Sequence, residues 1–173
     1  MLDRRSFIHY TSIGASLLAA PAGLVSAAAA GQALPRRPIP GTSQSLPVIG
    51  LGNSNAFRQG DLPASSALIK LFHEHGGAYI DCSGDSRFVV ASVADSLGIG
   101  RDLFLGAYFA GDDEAAMRRD IARLLQMTGK TQLDLAHSYP EFAEPNWDLF
   151  RRWKDEGLTK YIGIARHHER YYE

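Results

Sequence analysis

The sequence of 173 residues predicts an α/β fold in which parallel strands are joined by crossover helices. Two observations lead to this class. Short apolar runs alternate with segments whose apolar residues recur at helical spacing, and glycine or proline separates most of these segments. Strands that alternate with helices form βαβ units, so we expect about five parallel strands.

Residues 1–30 have the composition of an export signal. Arg4 and Arg5 precede a mildly apolar run from Ile13 to Val25, after which small residues follow. This order is typical of a cleavable signal peptide, and the run is too short and too rich in Ala and Gly to span a bilayer stably. The paired arginines followed by Phe7 resemble a twin-arginine signal. We therefore expect export through the twin-arginine machinery to the periplasm or beyond, with an ordinary secretory signal as the alternative.

The first unit of the fold follows a linker. Residues 31–45 are rich in Pro, Gly, Ser and Gln, which predicts a linker with a turn around Gly41. The apolar run 46–51 predicts the first strand of a domain that occupies residues 46–173. Asp61 can cap a helix that has Pro63 in its first turn. Helical spacing predicts one apolar face for this helix, made of Ala64, Ala67, Leu68, Leu71 and Phe72.

Four further strands and their helices complete the predicted alternation. The later strands are predicted at residues 78–82, 103–109, 132–138 and 161–164. The helices between them are predicted at 88–97, 112–128 and 145–156, and residues 167–173 have the pattern of another helix start.

Charge, cysteine count and histidine spacing narrow the classes of function that this sequence can have. The net charge is −1, from 18 basic and 19 acidic residues, with no basic stripe that would favour a nucleic-acid partner. Cys82 is the one cysteine, so no internal disulfide can form, and its place in a strand indicates a small buried hydrophobic side chain. His73 and His75 are two residues apart on a helix and face different directions, so no metal site is expected there.

Four segments in order resemble the aldo/keto reductase family. They are residues 46–52, the Gly-x-x-x-Ile-Asp segment 76–81, residues 101–105 and residues 153–164. The resemblance covers about residues 37–173 and implies a partial (β/α)8 TIM barrel containing the first five of eight units. Five strands leave two open sheet edges. Three alternatives therefore remain open. The chain is a truncated copy of the barrel, or it pairs with itself or with another chain, or its five units form an open sheet.

The resemblance implies NADP(H)-dependent reduction of a small-molecule carbonyl by an Asp, Tyr, Lys and His tetrad. In the family, Tyr donates the proton, Lys paired with Asp lowers the Tyr pKa, and His orients the carbonyl. Asp81 matches the Asp position, Ser86 the Tyr position and Tyr108 the Lys position. When the segment is aligned with the family without a gap, Tyr139 falls on the His position. His137, two residues earlier, takes that position only if the alignment shifts locally.

The replaced positions predict weak or absent catalysis. A serine hydroxyl is a far weaker acid than a phenol, and Tyr108 without a neighbouring cation would keep a pKa of about 10. Ala165 and Arg166 occupy the positions where the family contacts the nicotinamide amide through Ser-Asn. The strands that carry most of the family's NADP contacts lie beyond the resemblance, and Gly98-Ile99-Gly100 is a turn rather than a dinucleotide motif.

Three functional hypotheses follow. The first is an exported, degenerate aldo/keto-reductase-like protein with little or no reductase activity. The second is an active NADP(H)-dependent carbonyl oxidoreductase with rearranged catalytic residues, loaded with its cofactor before export. The third is a gene fragment that does not fold alone. A hydrolytic pair of Asp81 and Asp85 is a weaker interpretation, because the sequence shows no further residues that would complete a hydrolytic site around them.

Overall fold

A computed structural model describes residues 34–52, 57 and 61–165. These residues form a two-stranded antiparallel hairpin and a five-stranded parallel sheet. The hairpin strands are β1 (Arg36–Pro38) and β2 (Ser45–Pro47). The sheet strands are β3 (Leu51–Gly52), β4 (Tyr79–Cys82), β5 (Phe104–Tyr108), β6 (Leu133–Ser138) and β7 (Thr159–Ile164).

The parallel sheet has its strands in chain order, from β3 to β7, and crossover helices connect them. This is the arrangement of the first units of a (β/α)8 barrel, so the predicted fold class is confirmed. The helices are α1 (Leu62–Glu74), α2 (Ser86–Ser96), α3 (Glu114–Thr128), α4 (Pro140–Ala143) and α5 (Trp147–Asp155). None of these helices combines the length and hydropathy that a membrane span requires.

The hairpin differs from the sequence prediction of a linker followed by one strand. Gly41 adopts φ +75° in the turn, where a residue without Cβ is favoured. Arg36 pairs with Pro47 across the hairpin, and the guanidinium of Arg36 donates to the carbonyl of Ser45 at 2.6 Å. The apolar run 46–51 is therefore shared between β2 and the beginning of β3. Three-residue strands that contain proline give too little alternation for a pattern to reveal them.

The main core lies between the sheet and the helices. Buried side chains on this face of the sheet include Ile80, Leu105 and Ala136, and each is at most 2% exposed. They belong to one cluster with buried residues of the helices, namely Val90, Ile121, Leu124, Phe150 and Trp153. Burying one such large side chain stabilises a fold by about 1.5–3 kcal/mol, so this layer holds the crossover helices against the sheet.

Helix α1 turns a different face inward from the one that the spacing predicted. Ser65 and Ile69 are buried and Phe72 is half-buried, whereas Leu68 and Leu71 are 40% and 55% exposed. Helix α1 carries more apolar residues than one face can hold, so periodicity alone does not select the face that packs. In α3, by contrast, the residues at helical spacing lie on the face that packs: Met117, Ile121, Leu124 and Thr128 are buried and Leu125 is half-buried.

Candidate functional site

The carboxyl ends of the central strands bring together most of the residues that the sequence singled out. Strand residues alternate between faces, and the helix-side face is filled by the core. The opposite face carries Tyr79 and Asp81 of β4, Tyr108 of β5 and His137 of β6. Tyr139 follows β6 directly, and its ring lies 5.0 Å from that of Tyr108. We call these five residues the Asp81 cluster.

Asp81 and His137 meet across the strand between them. Asp81 Oδ1 lies 2.9 Å from His137 Nε2, and the His137 side chain is 6% exposed against 28% for Asp81. Neither atom has an aligned hydrogen-bond partner within the described residues, so each depends on this mutual contact. His137 thus reaches Asp81 from its own place in β6, without the local shift that the sequence comparison required.

Gly106 is the reason that this contact can form. Strands β4 and β6 are two strand spacings apart, about 9–10 Å, with β5 between them. Asp81 is in register with Gly106, and a Cβ built on Gly106 would lie 3.1 Å from Asp81 Oδ1. The missing side chain leaves a gap over β5 in which the carboxylate and the imidazole meet. Sequence reasoning treated Gly106 as an ordinary strand residue.

Tyr79 is a member of the cluster that sequence reasoning missed. It precedes Asp81 by two residues, which places both side chains on one face of β4. Burial, and then the negative charge of Asp81, raise the pKa of the Tyr79 phenol above its ordinary value. The ring packs edge-on against Phe104 at 5.6 Å. Spacing of two from Asp81 in a predicted strand was the signal that could have identified it.

Tyr108 occupies the position that the family resemblance assigns to a lysine. Its ring lies 4.0 Å from the His137 ring, with the two planes inclined by 41°. Burial, then the charge of Asp81 and the neighbouring Tyr139, raise the pKa of Tyr108 to about 12. Arg87 donates from Nη1 to the Tyr108 carbonyl at 2.8 Å, which holds the end of β5 in place. The phenol is therefore a weaker acid than the free value assumed from sequence.

Ser86 lies outside the Asp81 cluster. It is the first residue of α2, it is buried, and its hydroxyl donates to the carbonyl of Ser83 at 2.6 Å. The hydroxyl proton is thus held by the turn after β4. Tyr139 is 40% exposed and begins the short helix α4 from an extended backbone conformation. Of the sequence candidates, the structure brings together Asp81, Tyr108, His137 and Tyr139, and it separates Ser86 from them.

The described part of the site does not fit the nicotinamide contact that the resemblance implies. Ala165 has no polar side-chain atom, and its backbone N–H already donates to the carbonyl of Ser138 at 2.9 Å. Arg166, the other cofactor candidate, lies outside the described residues.

A cavity of about 600 Å³ lies beside the site rather than in it. Its lining comes from the loops after β5 and β6 and from the first turns of α3 and α5, including Asp112, Glu114, Phe142 and Asp148. No member of the Asp81 cluster belongs to this lining. The cluster itself is the better candidate site, because that is where the polar and aromatic groups converge.

Comparisons with known proteins agree with the fold. No protein-family model matches the sequence, and no curated protein matches it. The thermostable aldo-keto reductase Tm1743, solved with the inhibitor epalrestat, superposes with a TM-score of 0.62 at 18% identity, over 79% of this chain and 56% of that one. A Pseudomonas aeruginosa protein named as an aldo-keto reductase superposes with a TM-score of 0.61 at 20% identity, over 75% of this chain and 58% of that one.

A Klebsiella pneumoniae aldo-keto reductase in complex with NADPH gives a TM-score of 0.56 at 20% identity, over 73% of this chain and 48% of that one. The chain thus spans between about half and three-fifths of the length of these structures. At these identities the likeness establishes the fold, which is that of an aldo-keto reductase barrel in its first five units.

Proposed function

We propose that this chain is an exported protein with an aldo-keto-reductase fold and with little or no carbonyl reductase activity. The observation that carries the proposal is Tyr108, whose ring lies against His137 beside Asp81. A lysine at this point would supply a cation to lower the pKa of a proton-donating phenol. Tyrosine supplies no cation, and its own pKa is raised to about 12.

The proton donor is replaced as well. Ser86 stands where the resemblance implies a tyrosine, and its hydroxyl is bonded to the Ser83 carbonyl. General acid catalysis is efficient when the pKa of the acid lies near the working pH. A bound serine hydroxyl and a phenol with a pKa of about 12 are both far from neutrality. The two replacements together support a site that binds without reducing.

The Asp81 cluster retains the features of a small-molecule binding site. Asp81 is 28% exposed and offers an acceptor, while the Tyr108 and Tyr139 rings offer apolar faces beside it. Such a mixture of convergent polar groups and aromatic surface suits a small ligand with hydroxyl or carbonyl groups.

The test is NADPH oxidation by the purified full chain with a simple aldehyde as the substrate. The Klebsiella relative, assayed in parallel, serves as the positive control. We expect no rate above the background of the buffer, and no rise in the melting temperature of the chain when NADPH is added. Robust turnover would overturn the proposal.

A second candidate function is an active oxidoreductase with rearranged residues. The observation that favours it is the 2.9 Å contact between His137 and Asp81, since an imidazole held by a carboxylate can carry a proton. If this function is right, the aldehyde assay shows turnover that His137→Asn abolishes while the chain stays folded. Turnover that survives His137→Asn would exclude it.

Export belongs to the same proposal and rests on residues 1–30, which lie outside the described residues. Arg4→Lys with Arg5→Lys should retain the chain in the cytoplasm of a bacterial host, as judged by cell fractionation. Secretion of the double variant would show that an ordinary secretory signal is used. Association through β3 and β7, the outer strands of the described sheet, is a further expectation that light scattering can test.

A further inference from the structure

The amino ends of β5, β6 and β7 carry a basic cavity that the Asp81 cluster does not use. The cavity has a volume of about 300 Å³ and is lined by Arg101, Gly129, Lys130, Thr131, Gln132 and Lys160. Three of these six residues are cationic and none carries a carboxylate. The Asp81 cluster lies at the opposite, carboxyl ends of the strands, so this cavity is a separate place in the fold.

The buried carboxylate of Asp134 neutralises part of the positive charge of this cavity. Asp134 is 2% exposed, and its two oxygens each lie 3.0 Å from a lysine, Oδ2 from Lys130 Nζ and Oδ1 from Lys160 Nζ. Asp134 Oδ2 also accepts from the backbone N–H of Leu105 at 3.0 Å. A single carboxylate cannot neutralise two lysines and an arginine. Asp102, which follows Arg101 in sequence, lies against His73 at 3.7 Å instead.

The C-terminus of α3 offsets another part of the positive charge of the cavity. Gly129 adopts φ +67° as the C-cap of α3, and Arg101 Nε donates to its carbonyl at 2.8 Å. The C-terminus of a helix is equivalent to about half a negative charge, which attracts cations. Even with this contribution, more than one positive charge at the cavity is left unbalanced.

Donors remain available for a ligand. Among the described residues, Arg101 uses only Nε in a hydrogen bond, which leaves its two terminal nitrogens. Lys160 is 40% exposed and donates to Asp134 alone within the same part of the chain, so two of its three protons are unused. Lys130 is 8% exposed and fixed by Asp134 and the Arg101 carbonyl, which makes it a rigid wall of the cavity.

We propose that this cavity binds a phosphate dianion, either free or as the monoester of a small molecule. A planar guanidinium beside two ammonium groups matches the tetrahedral oxygens and double charge of phosphate. A volume of about 300 Å³ leaves room for a substituent on the phosphate. This inference is independent of the proposed function, because it uses none of the residues of the Asp81 cluster.

The experiment is calorimetric titration of the full chain with inorganic phosphate at fixed ionic strength. We expect saturable binding with one site per chain. Lys160→Gln and Arg101→Gln should each weaken it at least about tenfold, the loss expected for one charge-assisted contact. Lys70→Gln is the matched control, since Lys70 is an exposed lysine of α1 paired with Glu74. It removes the same charge elsewhere and should leave the affinity unchanged.

Arg101→Gln keeps the test decisive if Lys160→Gln fails to fold, because Arg101 does not contact Asp134. Ethyl phosphate in place of inorganic phosphate distinguishes the two sources. Tighter binding of the ester indicates a phosphorylated metabolite, and equal or weaker binding indicates free phosphate. Either result supports the site. Absence of saturation, or equal weakening in Lys70→Gln, would overturn it.

Discussion

Asp81 and His137 lie on strands that are not neighbours, yet Asp81 Oδ1 and His137 Nε2 are 2.9 Å apart. Gly106 on the intervening strand makes this contact possible, because any side chain there would fill the gap. The candidate site therefore depends on a residue that contributes no functional group.

Gly106→Ala should disrupt this relationship. The new Cβ would lie 3.0 Å from Tyr79 Cε2 and 3.1 Å from Asp81 Oδ1, which is closer than ordinary van der Waals contact. Both side chains must shift, and such overpacking costs about 1–3 kcal/mol. Urea denaturation followed by tryptophan fluorescence measures the loss.

Gly163→Ala is the matched control for this substitution. A Cβ on Gly163 would lie 3.5 Å from Leu135 and 3.6 Å from His137, which is ordinary contact. We expect a change in the free energy of unfolding within about 0.5 kcal/mol. Equal destabilisation by the two substitutions would mean that the gap over β5 has no special role.

Tyr108 gives a prediction at alkaline pH. Its folded-state pKa is about 12, against 10.0 for the free phenol. Because the pKa of Tyr108 is higher in the folded than in the unfolded chain, its protonated phenol stabilises the fold fully below pH 10. This contribution to the free energy of unfolding is lost as the pH rises towards 12. Tyr108→Phe should therefore lose less stability than the wild type between these values. Denaturant midpoints at a series of alkaline pH values measure the difference, and identical slopes for the two proteins would contradict the prediction.

Much of the fold could be predicted from the sequence, because alternating strands and helices have distinct periods. Short apolar runs predicted the four strands that contain Ile80, Leu105, Ala136 and Ile162. The face of α1 was predicted wrongly: Leu68 and Leu71 are exposed, since an apolar-rich helix offers several faces and tertiary packing chooses one.

The candidate site was predictable only in part. Asp81 and Tyr108 followed from the family resemblance, whose tetrad positions lie at or after the ends of barrel strands. The contact of His137 with Asp81 could not be predicted, since it depends on strand register and on the empty space over Gly106. The bond of Ser86 to Ser83 was equally hidden, because a turn that follows a strand has no periodic pattern.

Asp134→Asn should be strongly destabilising. The substitution removes the charge that two lysines share at 3.0 Å, at a position 2% exposed. Removing one member of a buried ion pair typically costs about 3–5 kcal/mol, because the remaining charge is left uncompensated. Asp155→Asn, at an exposed position in the last turn of α5, is the control and should change stability by less than about 0.5 kcal/mol. Similar unfolding free energies for the two variants would refute the role of Asp134.

The ion network between α3 and α5 predicts the response to acid. Arg118 donates to Glu114 at 2.8 Å and to Glu156 at 2.6 Å, and Arg152 donates to Glu114 at 3.0 Å. The hydrogen bond from Arg118 is the first cause that lowers the pKa of Glu114 below its ordinary value of 4.5, and it lowers the pKa of Glu156 in the same way.

A lowered carboxyl pKa means that the stabilising contribution is complete above pH 4.5 and is lost as the pH falls through the folded-state value. Glu114→Gln should therefore reduce stability at neutral pH and flatten the decline of stability below pH 4.5. Glu141→Gln is the control, because Glu141 is an exposed glutamate that takes no part in this network among the described residues. Thermal unfolding between pH 3 and pH 7 measures both variants. A decline in Glu114→Gln as steep as in the wild type would show that the network does not couple α3 to α5 through this carboxylate.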